Sequence, residues 1–349
     1  MTYSDGSLSS VPTAQVEDKI GIYTLDQLAA IDDDATSRSG DYILVVNTLN
    51  FDNLSGAGTW TPLCIGGDPF NGTFDGNGKT INLGNNRVTT KVDGTFFFAG
   101  LFDTIGLGTV KNLKLEGSIA VSESDPSANL VVGGLAAQVT NGGNVENVYS
   151  SVNITATSPN FSIVGGIVGD MNSGSILNCR SDGTITASGN VTGGAQVGGI
   201  AGQNHDTVQF CWSEVNITAP IVASNNTGGI VGIVRIASTS GILTNCVALN
   251  NTITGGNPSG RVFGSTEAGT TINSNFANAA MGNGSGGTLP TGTDSNENGV
   301  NVSTADANDI NWWRTTAGWT TIHNNKSDAS ETSPWYLGGS PTRPRLWFE

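Results

Sequence analysis

Val164-Gly165-Gly166-Ile167-Val168-Gly169 is a short apolar run interrupted by paired glycines, and the chain repeats it. One period earlier it reads Val132-Gly133-Gly134-Leu135-Ala136. Later it returns as Val197-Gly198-Gly199-Ile200-Ala201-Gly202 and as Thr227-Gly228-Gly229-Ile230-Val231-Gly232. Phe98-Ala99-Gly100-Leu101-Phe102 is a weaker earlier copy and Val262-Phe263-Gly264 a weaker later one. From Gly100 through Gly134, Gly166 and Gly199 to Gly229 the steps are 34, 32, 33 and 30 residues. A fixed period of this length marks a stacked repeat.

Two more segments keep the same period and order. The second runs Val110-Lys111-Asn112-Leu113, Val145-Glu146-Asn147-Val148, Ile176-Leu177-Asn178-Cys179, Val208-Gln209-Phe210-Cys211 and Leu243-Thr244-Asn245-Cys246. The third runs Ser118-Ile119-Ala120-Val121, Asn153-Ile154-Thr155, Thr184-Ile185-Thr186, Asn216-Ile217-Thr218 and Thr252-Ile253-Thr254. Each segment alternates like a strand with one buried face. No single repeat can bury that face, whereas turns stacked about 4.8 Å apart bury it on each other. The pattern predicts an all-β protein, a right-handed parallel β-helix with three-strand coils of about 30–35 residues. The in-phase isoleucines form its internal ladder.

Individual slots gain meaning in this register. The pairs Gly133-Gly134, Gly165-Gly166, Gly198-Gly199 and Gly228-Gly229 stand where a corner or a close backbone approach excludes a Cβ. The asparagines form an amide ladder at a bend, interrupted by Phe210. Cys179, Cys211 and Cys246 share one slot, and parallel side chains suit buried free thiols better than disulfides. A nucleophilic cysteine needs a histidine partner, and neither His205 nor His323 stands in a recognisable pairing motif. No Cys/His spacing suggests zinc.

Composition narrows the function. Of 349 residues 49 are Gly, and 14 Lys+Arg against 29 Asp+Glu give a net charge of −15. That balance argues against nucleic acid and anionic membranes, which need a basic footprint. Asn, Thr, Ser and Gly supply most of the polar surface. No run approaches 18 apolar residues, so no membrane-spanning helix and no direct membrane insertion is expected. The sequence shows no signal peptide. We read the chain as a mature extracellular or bacterial cell-surface protein with a flexible tether over 1–18.

The motifs resemble the GLUG repeat family of bacterial adhesins, also found in non-catalytic regions of immunoglobulin A peptidases. Phe70-Asn71-Gly72-Thr73-Phe74-Asp75-Gly76-Asn77-Gly78-Lys79-Thr80-Ile81 resembles the segment that opens such arrays, Ile22-Tyr23-Thr24-Leu25-Asp26-Gln27-Leu28-Ala29-Ala30-Ile31 their opening helix, and Pro344-Arg345-Leu346-Trp347-Phe348 their closing segment. The resemblance implies a non-catalytic, adhesin-like binding protein whose partner is a host or matrix glycan or protein. It contributes no catalytic residues, and the zinc motif of the larger peptidase relatives is absent from this sequence. The organisation expected is an N-terminal cap and first coil over 19–69, GLUG-type repeats over 70–280, and a loop with a Trp-rich C-terminal cap over 281–349. Thr24 N-caps a short helix over about 25–31 whose Leu25, Leu28 and Ile31 close the open end. Asp41-Tyr42-Ile43-Leu44-Val45-Val46 is a strand.

Competing readings attach to a few residues. Trp312, Trp313, Trp319 and Trp335 either cover the last coil or stack on sugar rings as a ligand-binding platform. Asp32-Asp33-Asp34, Asp68 and Asp75 are loop carboxylates that calcium could use, but without a calcium-loop spacing they read as solvated or turn-forming, so no cofactor is expected. A polysaccharide lyase or hydrolase would need clustered carboxylates, and Glu116, Glu146, Asp170, Asp182, Asp206 and Glu214 hold no common slot. The outward Thr and Asn residues beside the ladder isoleucines could instead form a flat ice-binding face.

Overall fold

The computed structural model describes residues 15–16, 18–54, 58–65, 67–188, 193–221, 225–236, 240–256, 259–339 and 341–349. About seven turns stack into an all-β parallel solenoid with little helix. One turn runs as follows. Phe161–Gly165 is a leading strand, Gly166 and Ile167 turn the corner, and Val168–Met171 is a trailing strand. Gly174–Leu177, Arg180–Ser181 and Thr184–Ser188 then follow one another along a single long sheet. The glycine segment, expected as one strand, is thus two strands about a sharp corner. The expected second and third strands lie end to end, and two turns earlier they run unbroken as Thr109–Ser122.

Register holds across the turns. Ile119, Ile154, Ile185, Ile217 and Ile253 pair in sequence and are all buried inside. The bend in the long sheet comes from one left-handed residue per turn: Asn77, Asn112, Asn147, Asn178, Phe210, Asn245 and Ser274, with φ between 52° and 56°. Asn tolerates that conformation because its short amide bonds locally. The amide ladder exists only at its start, where Asn147 Nδ2 donates to Asn112 Oδ1 at 3.0 Å and Asn112 Nδ2 to Asp75 Oδ1 at 3.1 Å.

Close approach, not left-handed backbone, explains the paired glycines. A Cβ on Gly133, Gly165, Gly198 or Gly228 would overlap the carbonyl oxygen three residues on, at Ala136, Val168, Ala201 and Val231. A Cβ on Gly134, Gly166 or Gly199 would meet the carbonyl of the matching glycine in the next turn, and one on Gly229 would meet Arg261. The glycine that ends each motif has its own role. A Cβ on Gly169 would stand 2.8 Å from Val131 Cγ1, and one on Gly202 2.6 Å from Ile163 Cγ2. Leading and trailing strands close on each other there, around a small second core of Phe98, Val131, Ala137 and Ile163.

Cys64, Cys179, Cys211 and Cys246 are free and buried. Val148 N–H donates to Cys179 Sγ at 3.4 Å, and the Cys211 and Cys246 thiols reach Ile176 O at 3.6 Å and Val208 O at 3.7 Å, one turn back. Burial, reinforced by the neighbouring Cys211 sulfur, pushes the Cys179 and Cys246 thiols up.

Both ends are covered, in different ways. At the start, Thr24 and Gln27 form a capping box on the helix Leu25–Ala29, and Ala30–Asp32 continues as a 3₁₀ turn. Leu25, Leu28 and Ile31 are buried against the end of the core. Asp41–Leu44 is a strand, two residues shorter than expected. Residues 1–14 and 17 of the expected tether lie outside the described residues, and Gln15–Val16 already pairs antiparallel with Lys19–Ile22. At the far end, Met281 and Leu289 pack on the core and Val300–Val302 adds a strand beside Phe276–Asn278. The fully buried Arg261 ties this lid down, donating to Asn278 O at 3.1 Å and to Gly299 O at 2.8 Å.

The tryptophan-rich tail does not sit on that end as a lid. It runs back along the side of the solenoid as a strap. Trp312 meets Phe276 edge-on at 5.2 Å and Trp319 meets Phe210 at 6.3 Å. Trp335 Nε1 donates to Asn178 Oδ1 at 3.2 Å, Glu331 pairs with Lys111, and Glu349 pairs with the buried Arg180. The cause is an outward column of the long sheet, Lys114, Tyr149, Arg180, Trp212, Val247 and Phe276, which turns apolar towards the last turns. Trp212, Val247 and Phe276 share one cluster with Trp313, Trp319 and Trp335.

Two measurements check this packing. Gly166→Val and Gly199→Val each lower unfolding free energy by about 3 kcal/mol, since the carbonyls they meet are backbone and cannot yield. Gly67→Ala, with open space beside it, melts with the parent. Thiol titration without reductant finds four free thiols, with Cys179, Cys211 and Cys246 labelled only after denaturation; fast native labelling would move them to the surface and break the register.

Candidate functional site

Where the strap crosses the left-handed bends it leaves a crevice of about 310 Å³. Phe210, Asn178 and Pro334 line it with the edges of Trp319 and Trp335. The exposed Thr320, Thr321 and Thr332 form its rim. None of these side chains carries a charge. Trp319 and Trp335 are each 1% exposed, so they build the floor and offer no open ring face. Phe210 is half-buried and is the aromatic ring that solvent reaches. Trp313 is buried and its Nε1 donates to Ala307 O at 3.0 Å; Trp312 is partly exposed and lies against Phe276. The four tryptophans singled out in the sequence are thus gathered on one strap, without the stacking platform considered for them. Phe210 and the threonines were missed. The signal that could have found them is the single aromatic residue in a column of asparagines.

A smaller cavity, about 200 Å³, lies at the N-terminal end between Ile20, Ile22, Tyr42 and the capping helix. It belongs to the closure of that end.

Register also assembles a polar group that sequence spacing hid. Asp170 pairs with Gln203 across adjacent trailing strands. His205 Nε2 bonds Gln203 Oε1 at 3.0 Å and stands 3.8 Å from Asp170 Oδ1, while Asn172 Nδ2 holds Asp170 Oδ2 at 3.1 Å. Burial pushes the Asp170 carboxyl up to about 6, and burial with the Arg235 guanidinium holds His205 below its ordinary value. Burial thus disfavours the charged form of both groups. Asp103 occupies the trailing-strand slot held by Ala137 and Gly169 in the next turns; it is buried there, and burial pushes it up to about 7.

Most of the remaining candidates are engaged in the fold. Lys91 and Arg38 pair with Asp32, and Arg38 also reaches Asp68 at 3.1 Å. Asp34 accepts the Ser37 N–H. Asp75 resists burial through Lys19 at 2.9 Å, the Asn77 N–H and the Asn112 amide, which together hold it below its usual value. Tyr149 O–H reaches Asp182, Asp206 accepts the Gly174 N–H, and Arg343 pairs with Glu214. Among the described residues no group of three or more His, Cys, Asp or Glu side chains gathers as a metal site. His323 Nε2 lies 2.7 Å from Ser333 Oγ, yet Ser333 O–H also faces the Thr321 carbonyl at 3.0 Å. A carbonyl only accepts, so Ser333 donates to it and His323 donates to Ser333. That order makes a brace within the strap and leaves Ser333 without a base. On the outer face of the long sheet, Thr155, Thr186, Thr218 and Thr254 stand in one column.

No curated protein matches the chain. Among solved structures, one described as a putative immunoglobulin A1 protease from Bacteroides ovatus superimposes with a TM-score of 0.60 at 17% identity, over 95% of this chain and 93% of that one. A second, named IgA1 Protease, gives 0.53 at 19% identity over 73% of this chain and 21% of that one. At these identities the likeness speaks for the fold. Residues 128–155, which hold the Val132-Gly133-Gly134 corner and the strand through Ile154, match the model of the GLUG motif. The chain carries a GLUG motif at residues 128–155 and is built as a parallel β-solenoid.

Proposed function

We propose that this solenoid is an extracellular or cell-surface, adhesin-like binding protein without catalytic activity, which presents its sides to a host or matrix glycan or protein. One observation carries the reading: the crevice beneath the strap is uncharged, apolar at its base and hydroxylated at its rim, which suits recognition and offers no acid or base to activate a hydroxyl. The His323–Ser333 brace and the ion-paired carboxylates support it, because their protons and lone pairs are already used within the fold. The two solved neighbours are named as proteases, and the second is a far longer chain of which this one matches about a fifth. That activity stays with those proteins.

The test sets binding against turnover. The purified chain is applied to an array of host and matrix glycans and proteins, then incubated with immunoglobulin A1 and with acidic polysaccharides, with and without calcium. Saturable binding without cleavage is the expected result. Cleavage lost in Ser333→Ala or His323→Ala, or depolymerisation lost on changing one surface carboxylate, would sink the non-catalytic reading. The threonine column favours one other function, ice binding, and thermal hysteresis of the freezing point would reveal it.

A further inference from the structure

We propose that the crevice centred on Phe210 is a subsite for one ring of a neutral sugar, with Phe210 as the stacking platform. The inference rests on the binding reading above and names its ligand class.

The first support is a broken local rule. Five of the seven left-handed positions of the bend column are Asn, one is Ser and one is Phe. A bulky aromatic residue disfavours positive φ, having no short polar group to bond its own backbone. Residues held against such a preference cluster at ligand sites. Here the exception falls in the turn where the strap stands off and the crevice opens. Restoring Asn would satisfy the backbone, so the ring is retained against the local conformational preference.

The second support is the chemistry of the lining. A pyranose ring presents C–H groups on its faces and hydroxyls at its edge. A half-buried phenyl ring suits the face. Thr320, Thr321 and Thr332 both donate and accept, as a sugar hydroxyl does. The Oδ1 of Asn178 is held by Trp335 Nε1 at 3.2 Å, so its NH₂ is the donor left for a ligand hydroxyl. The lining holds no cation for a carboxylate or sulfate and no carboxylate for an amine, so the ring is uncharged. A volume of about 310 Å³ lies at the low end for ligand pockets, which fits one ring of a longer chain that continues over the exposed threonines.

The probes are chitotriose, cellotriose, mannotriose and xylotriose, with sialyllactose as the charged control, titrated by tryptophan fluorescence because Trp319 and Trp335 form the floor. At least one neutral trisaccharide shifts the emission saturably, and sialyllactose does not. Phe210→Asn melts at or above the parent, since it restores the residue of the column, and weakens binding at least tenfold. Thr321→Val, on the exposed rim, leaves melting unchanged and weakens binding several-fold. The proposal is overturned if no neutral trisaccharide binds, if sialyllactose binds better, or if Phe210→Asn binds as the parent does. Array binding that survives Phe210→Asn removes this subsite while leaving the binding protein; a parent that binds nothing on the array removes both.

Discussion

At each glycine corner, a carbonyl oxygen of the same turn or the next occupies the place a side chain would need. Gly165 faces the carbonyl of Val168 and Gly166 that of Gly199, so the chain reverses within two residues and the next turn settles on it without a gap. Everything else in the cross-section depends on this tightness. It folds leading and trailing strands into a V with its own small core, and it brings the trailing strand round to begin the long sheet in phase. The second glycine of each pair is met by the next turn, so a bulky residue there displaces its neighbour as well. Stability here is largely a nearest-neighbour property.

The strap answers a second need. A solenoid hides its inner face by stacking but leaves every outer face to solvent. Along the column from Lys114 to Phe276 the outward residues change from charged to aromatic and aliphatic. An exposed patch of Trp212, Val247 and Phe276 would invite association. The strap covers it with Trp313, Trp319 and Trp335, and Arg180 anchors it from beneath. The guanidinium of Arg180 lies 3.6 Å from the Tyr149 ring centre and pairs with Glu349, so a charge that is only 3% exposed has both an ionic partner and an aromatic face. The Asn178 amide bonds Trp335 of the strap instead of Asn147, and Phe210 separates it from Asn245, whose amide bonds Ala317 O, so the amide ladder ends at Asn147.

How legible was this in the sequence? The period was open to reading because Ile154, Ile185 and Ile217 serve one purpose in successive turns and vary little. The helix cap was legible because Thr24 and Gln27 satisfy local donors with local acceptors. Two features were not. The strap depends on contacts such as Asn178 with Trp335, 157 residues apart, and no periodicity links its segment to the turns. Its outward column could still have been read, since Trp212 and Val247 each follow a core cysteine by one residue. The Asp170–His205 pair was hidden because its members stand two positions apart along the strand as well as one turn apart, so they fall in no shared slot.

Repeat proteins make departures informative. In a unique fold, an unusual residue has no sibling positions to compare with. In this chain each slot is seen several times under nearly the same constraints, so the remaining turns show what the fold alone requires. Glycine or alanine in the trailing-strand slot is what close packing asks for, and Asp103 departs from it where the turns meet the ion pairs of Lys91 and Asp32 near the closed end. Asn in the bend column is what left-handed backbone asks for, and Phe210 departs from it beside the strap. Asp103 adds a buried carboxyl that burial pushes up to about 7; Phe210 adds a ring that solvent can reach. Of the two departures, only Phe210 meets open volume, so the ring is the one that needs an explanation from outside the fold.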